Sequence, residues 1–403
     1  MDPLPTILLR PGEADRVVAG HPWIYQGSIL RLTTPAADGA IVQVKDHRQR
    51  LLGVGFYNSK SKIGVRLLAR ERIEIGRAFL RERIQAAWDL RKRHLPKASS
   101  CRVVNSESDF LSGLIVDKYE DVLVVQISAL GMEKLKDDIV AVLEELFSPR
   151  AIMARNDGPS RRFEALPEDS GVLAGTPPDK VKVTLNGLSF ETDLIGGHKT
   201  GLYLDQQVNY RLVAELLGSL RSSQVLDLFC FQGAFSLHLA RAGIGHIHGV
   251  DQSEEAVKAA AHNAAANGLA EKVSFEAANV FDWLKSQTAA KPHEKTIPRF
   301  DAIILDPPSF TRSRASLPDA LRGYKEIHLR ALKLLRPGGV LITFCCSHHV
   351  SGPIFEEVIV AAAVDAHRVL RRVATFSQSL DHPILPAIAE TEYLKGFAYE
   401  LAH

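Results

Sequence analysis

The stretch Val225–Ser236, with the sequence VLDLFCFQGAFS, decides the fold of the C-terminal half of this 403-residue chain. An apolar run that carries the acid Asp227 breaks between Cys230 and Gly233, and apolar residues resume at helical spacing from Phe235. This pattern predicts a strand, a tight turn and a helix. The glycine lets the backbone approach a ligand, the start of the helix offers unpaired N–H groups, and Asp227 supplies a carboxylate. Together they predict a site for a cofactor of the nucleotide type.

A second acid follows at the end of the next predicted strand, Ile247–Asp251. Asp251 comes 24 residues after Asp227, close to the roughly 20 residues expected for a carboxylate that binds a ribose. A dinucleotide fold would also need G-x-G-x-x-G for a pyrophosphate, and this turn holds one glycine, Gly233. An ordinary βαβ unit without a ligand is the alternative. A strand, an acidic turn and a ribose acid without a phosphate cradle resemble the S-adenosylmethionine site of class I methyltransferases.

The alternation of strands and helices continues, and two later strands end in polar residues. After the strand Val273–Glu276 comes Asn279, which such enzymes place near the adenine amino group, although an Asn is also a common turn former. The strand Phe300–Leu305 ends in Asp306–Phe310, with the sequence DPPSF. Ligands bind at the carboxyl ends of parallel strands, and the two prolines make this turn rigid. The turn resembles the fourth motif of base-modifying methyltransferases, where such a loop grips the target base.

A thiol stands at the end of a further strand. The segment Val340–His349 has the sequence VLITFCCSHH, and because side chains alternate along a strand, only one of Cys345 and Cys346 can face the site. Carbon 5 of a pyrimidine becomes nucleophilic only after carbon 6 has been attacked, which a Cys thiolate does well. The thiol pKa of about 8.5 must then fall, with Lys199 or His348 as nearby cations. A buried cysteine that acts only as a small apolar side chain is the alternative.

A polar loop comes directly before the cofactor module. Gly196–Gln207 has the sequence GGHKTGLYLDQQ and brings Lys199, Tyr203 and Asp205 close to the expected ligand. It lacks the G-x-x-x-x-G-K-[ST] pattern, so nucleoside triphosphate hydrolysis is disfavoured. A plain loop that caps the following helix is the alternative.

Length and composition indicate a globular protein of two or three domains. Hydrophobic residues make up 46% and charged residues 24% of the chain. No apolar run reaches the roughly 18 residues of a membrane span, and the N-terminus does not resemble a signal peptide, so we expect a cytoplasmic protein without a membrane partner. The four cysteines show no C-x-x-C spacing, so we expect neither a metal site nor a disulfide framework.

The first hundred residues are basic, with 18 Lys and Arg against 9 Asp and Glu, whereas the rest of the chain is net acidic. A basic module suggests a polyanionic partner, most commonly nucleic acid. A chance excess on a solvated surface is the alternative. Trp23 and Tyr25 could stack on bases or belong to the core. Arg91–His94 could contact phosphate or form the cationic end of the helix predicted for residues 73–95.

Short predicted strands in this basic module, at Thr6–Leu9, Ile41–Val44, Leu51–Tyr57 and Ile63–Leu68, are separated by turn residues and indicate a small barrel. The pieces His21–Tyr25 (HPWIY) and Leu52–Tyr57 (LGVGFY) look like a PUA domain, a fold used mainly for RNA. We therefore divide the chain into a PUA-like domain at 1–72, a linker helix with a central α+β domain at 73–196, and a methyltransferase domain at 197–403. The expected fold class is α/β, with a Rossmann-like, seven-stranded, mostly parallel sheet.

Taken together, these motifs resemble the family of ribosomal RNA large subunit methyltransferase I over essentially the whole chain. The resemblance implies transfer of a methyl group from S-adenosylmethionine to carbon 5 of a cytosine in large-subunit ribosomal RNA. It makes Cys346 the nucleophile and Asp306 the catalytic acid. It assigns the cofactor pocket to Asp227, Gly233, Asp251 and Asn279. Further candidate cofactor contacts from the motifs are Lys199, Tyr203, Asp205, Phe229, Asp306 and Pro307.

Several points stay open at this stage. Many RNA cytosine methyltransferases carry a second Cys where this chain has Ser309, so the base that removes the carbon-5 proton is unassigned. Methylation of an exocyclic base nitrogen needs no thiol and is the alternative reaction. An RNA-binding assembly factor without turnover is the alternative class. The oligomeric state is undetermined, a homodimer being one option.

Overall fold

A computed structural model describes residues 4–194, 201–220, 222–289, 299–311 and 313–402. The chain forms two compact units. The first consists of Met1–Thr184, Thr192–Leu204 and Leu380–Thr391, and the second of Leu185–Glu191, Asp205–Ser379 and Glu392–His403. The first unit is therefore completed by a segment from near the C-terminus. The predicted boundaries at residues 72 and 196 stay predictions.

The first unit begins with a sheet of strands in the order β2-β6-β5-β4-β1-β3. In β4 buried side chains alternate with partly exposed ones, whereas all four residues of β1 are buried. The apolar cluster of this sheet includes Ile7, Val42 and Val65. The strands predicted from the turn residues of this region are confirmed. The elements are β1 Thr6–Leu9, α1 Asp15–Val18, β2 Trp23–Tyr25, β3 Ile29–Leu32, β4 Ile41–Lys45, β5 Leu51–Tyr57 and β6 Ile63–Ala69.

A long helix, α2 Arg77–His94, leads to a second sheet in the order β11-β10-β9-β8-β7. The region after residue 127 holds two helices, and the chain turns at Lys134 and Leu135 between them. The elements are β7 Cys101–Asn105, β8 Leu114–Tyr119, β9 Val122–Ile127, α3 Leu130–Glu133, α4 Lys136–Phe147, β10 Ala151–Asn156 and β11 Asp169–Gly175.

A hairpin, β12 Val181–Leu185 and β13 Leu188–Thr192, carries the chain from the first unit to the second. Its turn residues Asn186 and Gly187 both have positive φ, 49° and 82°. This is the backbone that a type I′ turn requires, and it explains why an Asn-Gly pair occupies the turn.

The second unit is built on a sheet in the order β16-β15-β14-β17-β18-β20-β19. The first five strands in this order, β16, β15, β14, β17 and β18, run parallel to one another. Strand β20 pairs antiparallel with both β18 and β19. The expected seven-stranded, mostly parallel sheet is confirmed among the described residues. The strands are β14 Gln224–Leu228, β15 His246–Asp251, β16 Val273–Ala277, β17 Phe300–Leu305, β18 Leu335–Cys345, β19 Leu370–Ser377 and β20 Lys395–Leu401.

Helices connect these strands and cover the sheet. They are α5 Gln207–Ser219, α6 Ala234–Arg241, α7 Glu254–Ala266, α8 Val280–Thr288, α9 Leu317–Leu334 and α10 Gly352–Asp365. Fully buried apolar side chains from β14, β17, β18, α9 and α10 form one core cluster. The central strands β14, β17 and the second half of β18 are buried on both faces, which is why their sequences are mostly apolar.

Strand order and register decide where the site lies. The order reverses at β14, which pairs with β15 on one side and β17 on the other. In the register, Leu228 lies opposite both Val250 and Leu305, and Leu305 lies opposite Thr343. The residues that follow these strand ends therefore lie along one edge of the sheet, at the point where open α/β sheets bind ligands.

Candidate active site

The turn after β14 has an unusual backbone. Phe229 and Phe231 have φ of 64° and 47°, and Gly233 has φ of 80°. A bulky residue in this region costs roughly 1 kcal/mol or more and persists where its surroundings hold it. Here the N–H of Phe229 donates to the carbonyl of Val250 at 2.8 Å. A Cβ on Gly233 would lie 3.0 Å from both Leu237 and Phe275, so the position favours glycine by space as well as by φ.

Asp227 is fully buried one residue before the end of β14. Its Oδ2 accepts from the N–H of Ser236 at 3.1 Å and from the Ser236 hydroxyl at 2.6 Å. Its Oδ1 has no hydrogen-bond partner among the described residues. Burial, with a further contribution from the charge of Asp251, raises the pKa of Asp227 to about 7. An unsatisfied buried carboxylate oxygen is costly unless a donor arrives, so this atom is a candidate ligand contact.

Asp251 is the last residue of β15, and its carboxylate accepts hydrogen bonds from two backbone segments. Its Oδ2 accepts from the N–H of Phe231, and its Oδ1 accepts from the N–H of Ser253, both at 2.9 Å. The second predicted acid therefore lies beside the turn of the first, as its spacing predicted. Each carboxylate oxygen has a second lone pair for a ligand hydroxyl.

Asn279 lies after β16 and caps α8. Its Oδ1 accepts from the N–H groups of Phe281 and Asp282 at 3.0 and 3.3 Å. The alternative of a local structural role for this residue therefore has direct support, and any ligand contact would use the other atom of the amide, Nδ2. Its role in adenine binding stays a prediction.

Asp306 follows β17 directly and is half-buried. Its Oδ1 accepts from the side-chain amide of Gln206 at 3.1 Å, and Gln206 in turn accepts from Asn209 at 2.6 Å. Pro307 is buried beside it. The sequence analysis missed Gln206, although it lies next to Asp205 in the same motif, because a glutamine before a helix carries no chemical signal of its own.

The two cysteines after β18 have different surroundings. Cys345 is fully buried, and its thiol donates to the hydroxyl of Tyr324 at 3.5 Å. Cys346 is partly exposed, and its Sγ lies 4.0 Å from the carbonyl oxygen of Pro307. The side chains thus point to different neighbours, as alternation along a strand predicts, and Cys346 is the one beside the loop that carries Asp306.

A chain of hydroxyl groups joins the loops after β17 and β18. The Oγ of Ser347 lies 2.9 Å from the Oγ of Ser309 and 2.9 Å from the hydroxyl of Tyr324. Ser309 also donates to the carbonyl of Thr311 at 2.8 Å. These bonds fix the two loops relative to each other. The two bonds of Ser347 were not predicted, since its partners lie 23 and 38 residues apart from it in the sequence.

The three residues predicted from the polar loop, Lys199, Tyr203 and Asp205, have different locations. Asp205 accepts from the hydroxyl of Tyr393 at 2.8 Å, and the ring of Tyr393 lies 5.6 Å from that of His348. Tyr203 belongs to the first unit. Lys199 lies outside the described residues, as do the other residues of the segment 195–200. The roles of all these residues stay predictions.

In the first unit, two of the candidate RNA contacts have structural partners. The indole N–H of Trp23 donates to Glu107 at 2.9 Å, and a guanidinium, that of Arg66, lies over its ring. Arg91 is almost fully buried and forms an ion pair with Asp109, with Nη2 and Oδ2 2.7 Å apart. Arg91 is therefore not available for a phosphate.

An apolar cavity of about 520 Å³ also opens in the first unit. Arg70, Arg83 and Phe110 line it together with Leu67, Ile73 and Ile388. The exposed ring of Phe110 lies 5.5 Å from the guanidinium of Arg83.

The described residues contain no group of three or more His, Cys, Asp or Glu side chains that could hold a metal ion. No helix among them is long and apolar enough to cross a membrane.

The comparisons with known proteins agree with this architecture. Residues 7–70 match the model of a PUA-like domain, and residues 220–379 match the model of a methyltransferase domain. A candidate SAM-dependent methyltransferase from Streptococcus mutans superposes with a TM-score of 0.82, at 20% identity, over 98% of this chain and 99% of that one. A candidate methyltransferase in complex with SAH superposes with a TM-score of 0.83, also at 20% identity, over 98% and 99%. The fold is that of a class I methyltransferase with an N-terminal PUA-like domain.

Curated relatives define the family more closely. Ribosomal RNA large subunit methyltransferase I of Shewanella amazonensis is 37% identical over 97% of this chain and 98% of that protein. Its counterparts in Shewanella denitrificans and Photobacterium profundum are 38% and 34% identical over similar shares. The chain belongs to the ribosomal RNA large subunit methyltransferase I family.

Proposed function

We propose that this chain methylates carbon 5 of a cytosine in large-subunit ribosomal RNA, with S-adenosylmethionine as the methyl donor and Cys346 as the nucleophile. The observation that carries the proposal is the position of the Cys346 thiol. It is partly exposed, and it lies 4.0 Å from the Pro307 carbonyl, in the loop that begins with Asp306. The sulfur and the acid follow adjacent parallel strands, and the turn after β14 follows the next strand.

The residues present fit the cofactor. Asp227 offers an unsatisfied buried oxygen, Gly233 leaves room at the start of α6, and Asp251 lies beside the same turn. We assign these three residues to the cofactor, with the strained backbone at Phe229 and Phe231 shaping the cradle. When bound, S-adenosylmethionine supplies an electrophilic methyl group on a sulfonium.

The chain's own residues then perform the base chemistry. Cys346 loses its proton, and a sulfur lone pair forms the bond to carbon 6 of the cytosine. The electron pair of the 5,6 double bond moves toward the ring nitrogen, which Asp306 protonates, so carbon 5 becomes nucleophilic. After methylation a base removes the carbon-5 proton. The electrons of that C–H bond restore the double bond, the thiolate leaves carbon 6, and the ring-nitrogen proton is lost.

RNA binding is assigned to the first unit. Its basic N-terminal hundred residues supply attraction to phosphates that weakens with salt. The cavity is lined by the ring of Phe110 and by Arg70 and Arg83, a combination that suits an unpaired base and its phosphate. A target in the ribosome implies a cytoplasmic location. A homodimer stays a prediction without a specific observation in its favour.

The test compares Cys346→Ala with Cys345→Ala, the buried neighbour. RNA from cells that lack this protein is incubated with each variant and labelled S-adenosylmethionine, and the modified nucleoside is identified by mass analysis. We expect Cys346→Ala to lower methyl transfer by at least about a thousandfold and Cys345→Ala to retain most of it. Full transfer by Cys346→Ala would overturn the covalent scheme. A methyl group on an exocyclic nitrogen would support the alternative reaction, and failure to bind the labelled cofactor would support an assembly factor.

A further inference from the structure

Lys395 reaches the loop that carries the proposed nucleophile from a different strand. It is the first residue of β20 and lies directly opposite Cys345 of β18. Its Nζ donates a hydrogen bond of 2.8 Å to the backbone carbonyl of Ser347. The lysine therefore contacts the residues on both sides of Cys346, one through strand pairing and the other through its ammonium group.

The surroundings of this ammonium group strengthen its effect on nearby charges. The side chain is half-buried. Burial lowers the pKa of Lys395 below its ordinary value, whereas negative charge on Cys345, Cys346 or Glu392 raises it. A cation partly withdrawn from water interacts more strongly with a neighbouring anion than it would in bulk solvent.

Other charged or titratable groups near Cys346 also affect the stability of a negative charge on its sulfur. Asp306 lies on the neighbouring loop and opposes a negative charge on sulfur, as does Glu392 before β20. Tyr324 of α9 is hydrogen-bonded to Cys345 and Ser347. His348, on the same loop as the thiol, is exposed and faces the ring of Tyr393. Lys395 is the cation that the described residues bring to the backbone beside Cys346.

We propose that Lys395 is a positioning residue that promotes the thiolate form of Cys346. The ammonium group keeps its own proton and its hydrogen bond to Ser347, while the thiol proton leaves to water and the negative charge on sulfur is stabilised by the nearby cation. The inference rests on the proposed function, because it assigns Lys395 to the activation of that nucleophile. It has a readout that does not depend on methyl transfer.

The experiment measures how the alkylation of Cys346 by iodoacetamide depends on pH in the full-length protein, without cofactor or RNA. Peptide mass mapping separates Cys346 from the three buried cysteines. The variants are Lys395→Met, which removes the charge, Lys395→Gln, which removes the charge but retains a donor for Ser347, and Lys395→Arg, which retains the charge. Lys272→Met is the matched control, because Lys272 also donates to a backbone carbonyl, that of Ala240, at 3.2 Å.

We expect the pH midpoint of alkylation to rise by about one unit in Lys395→Met and Lys395→Gln, which lowers the rate near pH 7 by about tenfold. Lys395→Arg should restore most of the wild-type profile, and Lys272→Met should leave it unchanged. An unchanged midpoint in both neutral variants, or an equal shift in Lys395→Arg, would overturn the inference. If the midpoint shifts as expected but Cys346→Ala still methylates RNA fully, the electrostatic inference stands and the covalent scheme fails.

Discussion

The side-chain amide of Gln206 donates a 3.1 Å hydrogen bond to the carboxylate of Asp306, 100 residues further along the chain. Gln206 is itself held, since its Oε1 accepts from Asn209 at 2.6 Å and the amide of Asn209 also donates to the carbonyl of Ser377 at 2.9 Å. The proposed catalytic acid is therefore oriented by a side chain that precedes α5. An acid that must meet one edge of a base needs a fixed orientation of this kind.

Replacing Gln206 with leucine should slow methyl transfer by roughly tenfold or more, because a hydrogen bond to a charged group is worth about 1.5–3 kcal/mol. The rate of methyl transfer to RNA under saturating cofactor is the measurement. Gln287→Leu, at a partly exposed position of α8, is the control and should behave as the wild type. Equal rates for both variants would show that Asp306 does not need this partner.

The raised pKa of Asp227 should make the folded chain less stable as pH rises, the reverse of the usual effect of an aspartate. Its pKa in the folded chain is about 7, above the value of about 3.9 for an unfolded aspartate, so the native state binds more protons between these values. Stability without cofactor should therefore fall as pH rises from about 4 to about 7. Asp227→Asn should remove this contribution and melt a few degrees higher than the wild type at pH 8, while cofactor binding weakens.

Asp301 provides the contrasting control for that experiment. Burial alone would raise its pKa, but hydrogen bonds from Ser223 and Gln224 hold the pKa of Asp301 below its ordinary value. Its contribution is present above the unfolded pKa and is lost as pH falls through the lower folded value. Asp301→Asn should therefore destabilise the chain at pH 7. Melting curves in which both Asn variants move in the same direction at pH 8 would contradict the assignment.

Phe110 should contribute to RNA affinity. Stacking of a base on an aromatic side chain is worth about 1–3 kcal/mol, so Phe110→Ala should weaken RNA binding by roughly fivefold to a hundredfold. KM for RNA should rise while kcat is retained. Phe163→Ala removes another exposed ring of the same unit and is the matched control. Binding titrations in which the two variants agree would exclude the cavity as a base site.

The hydroxyl of Tyr324 should matter more for activity than an ordinary buried hydroxyl. Tyr324→Phe removes its bonds to Ser347 and Cys345, should cost about 1 kcal/mol of stability, and should also slow methyl transfer by loosening the loop of Cys346. Tyr399→Phe is the comparison, because that hydroxyl donates to Glu356 at 2.9 Å on another part of the unit. We expect a similar loss of stability there but little loss of activity. Equal activity in both variants would argue against a role for the hydroxyl chain.

The parts of the site that could be predicted are those encoded within a few residues. The turn at Gly233 and the positions of Asp227 and Asp251 could be predicted from local sequence patterns, because the two acids lie at the ends of apolar strands and the glycine lies in the turn after the first of them. The bonds of Gln206 to Asp306 and of Tyr324 to Ser347 could not be predicted, since they join residues that only the finished sheet brings together.

The role of the charged residue Arg91 could not be predicted from the sequence either. A basic run at the end of a helix indicated either a phosphate contact or a solvated helix end, and the structure shows neither for this residue. Burial against Asp109 depends on the fold of the strand region that follows α2, which helical periodicity does not describe.

The segment Leu380–Thr391, which completes the first unit, has a consequence for biosynthesis. Asp381 accepts from the side chain of Arg91 through its carbonyl and from the N–H of Arg102 through its carboxylate, both at 2.8 Å. A chain emerging from the ribosome cannot make these contacts until nearly all of it has been translated. The first unit is therefore completed only after residues 380–391 have been synthesised, and a nascent or truncated polypeptide that ends before residue 380 lacks these contacts to Arg91 and Arg102.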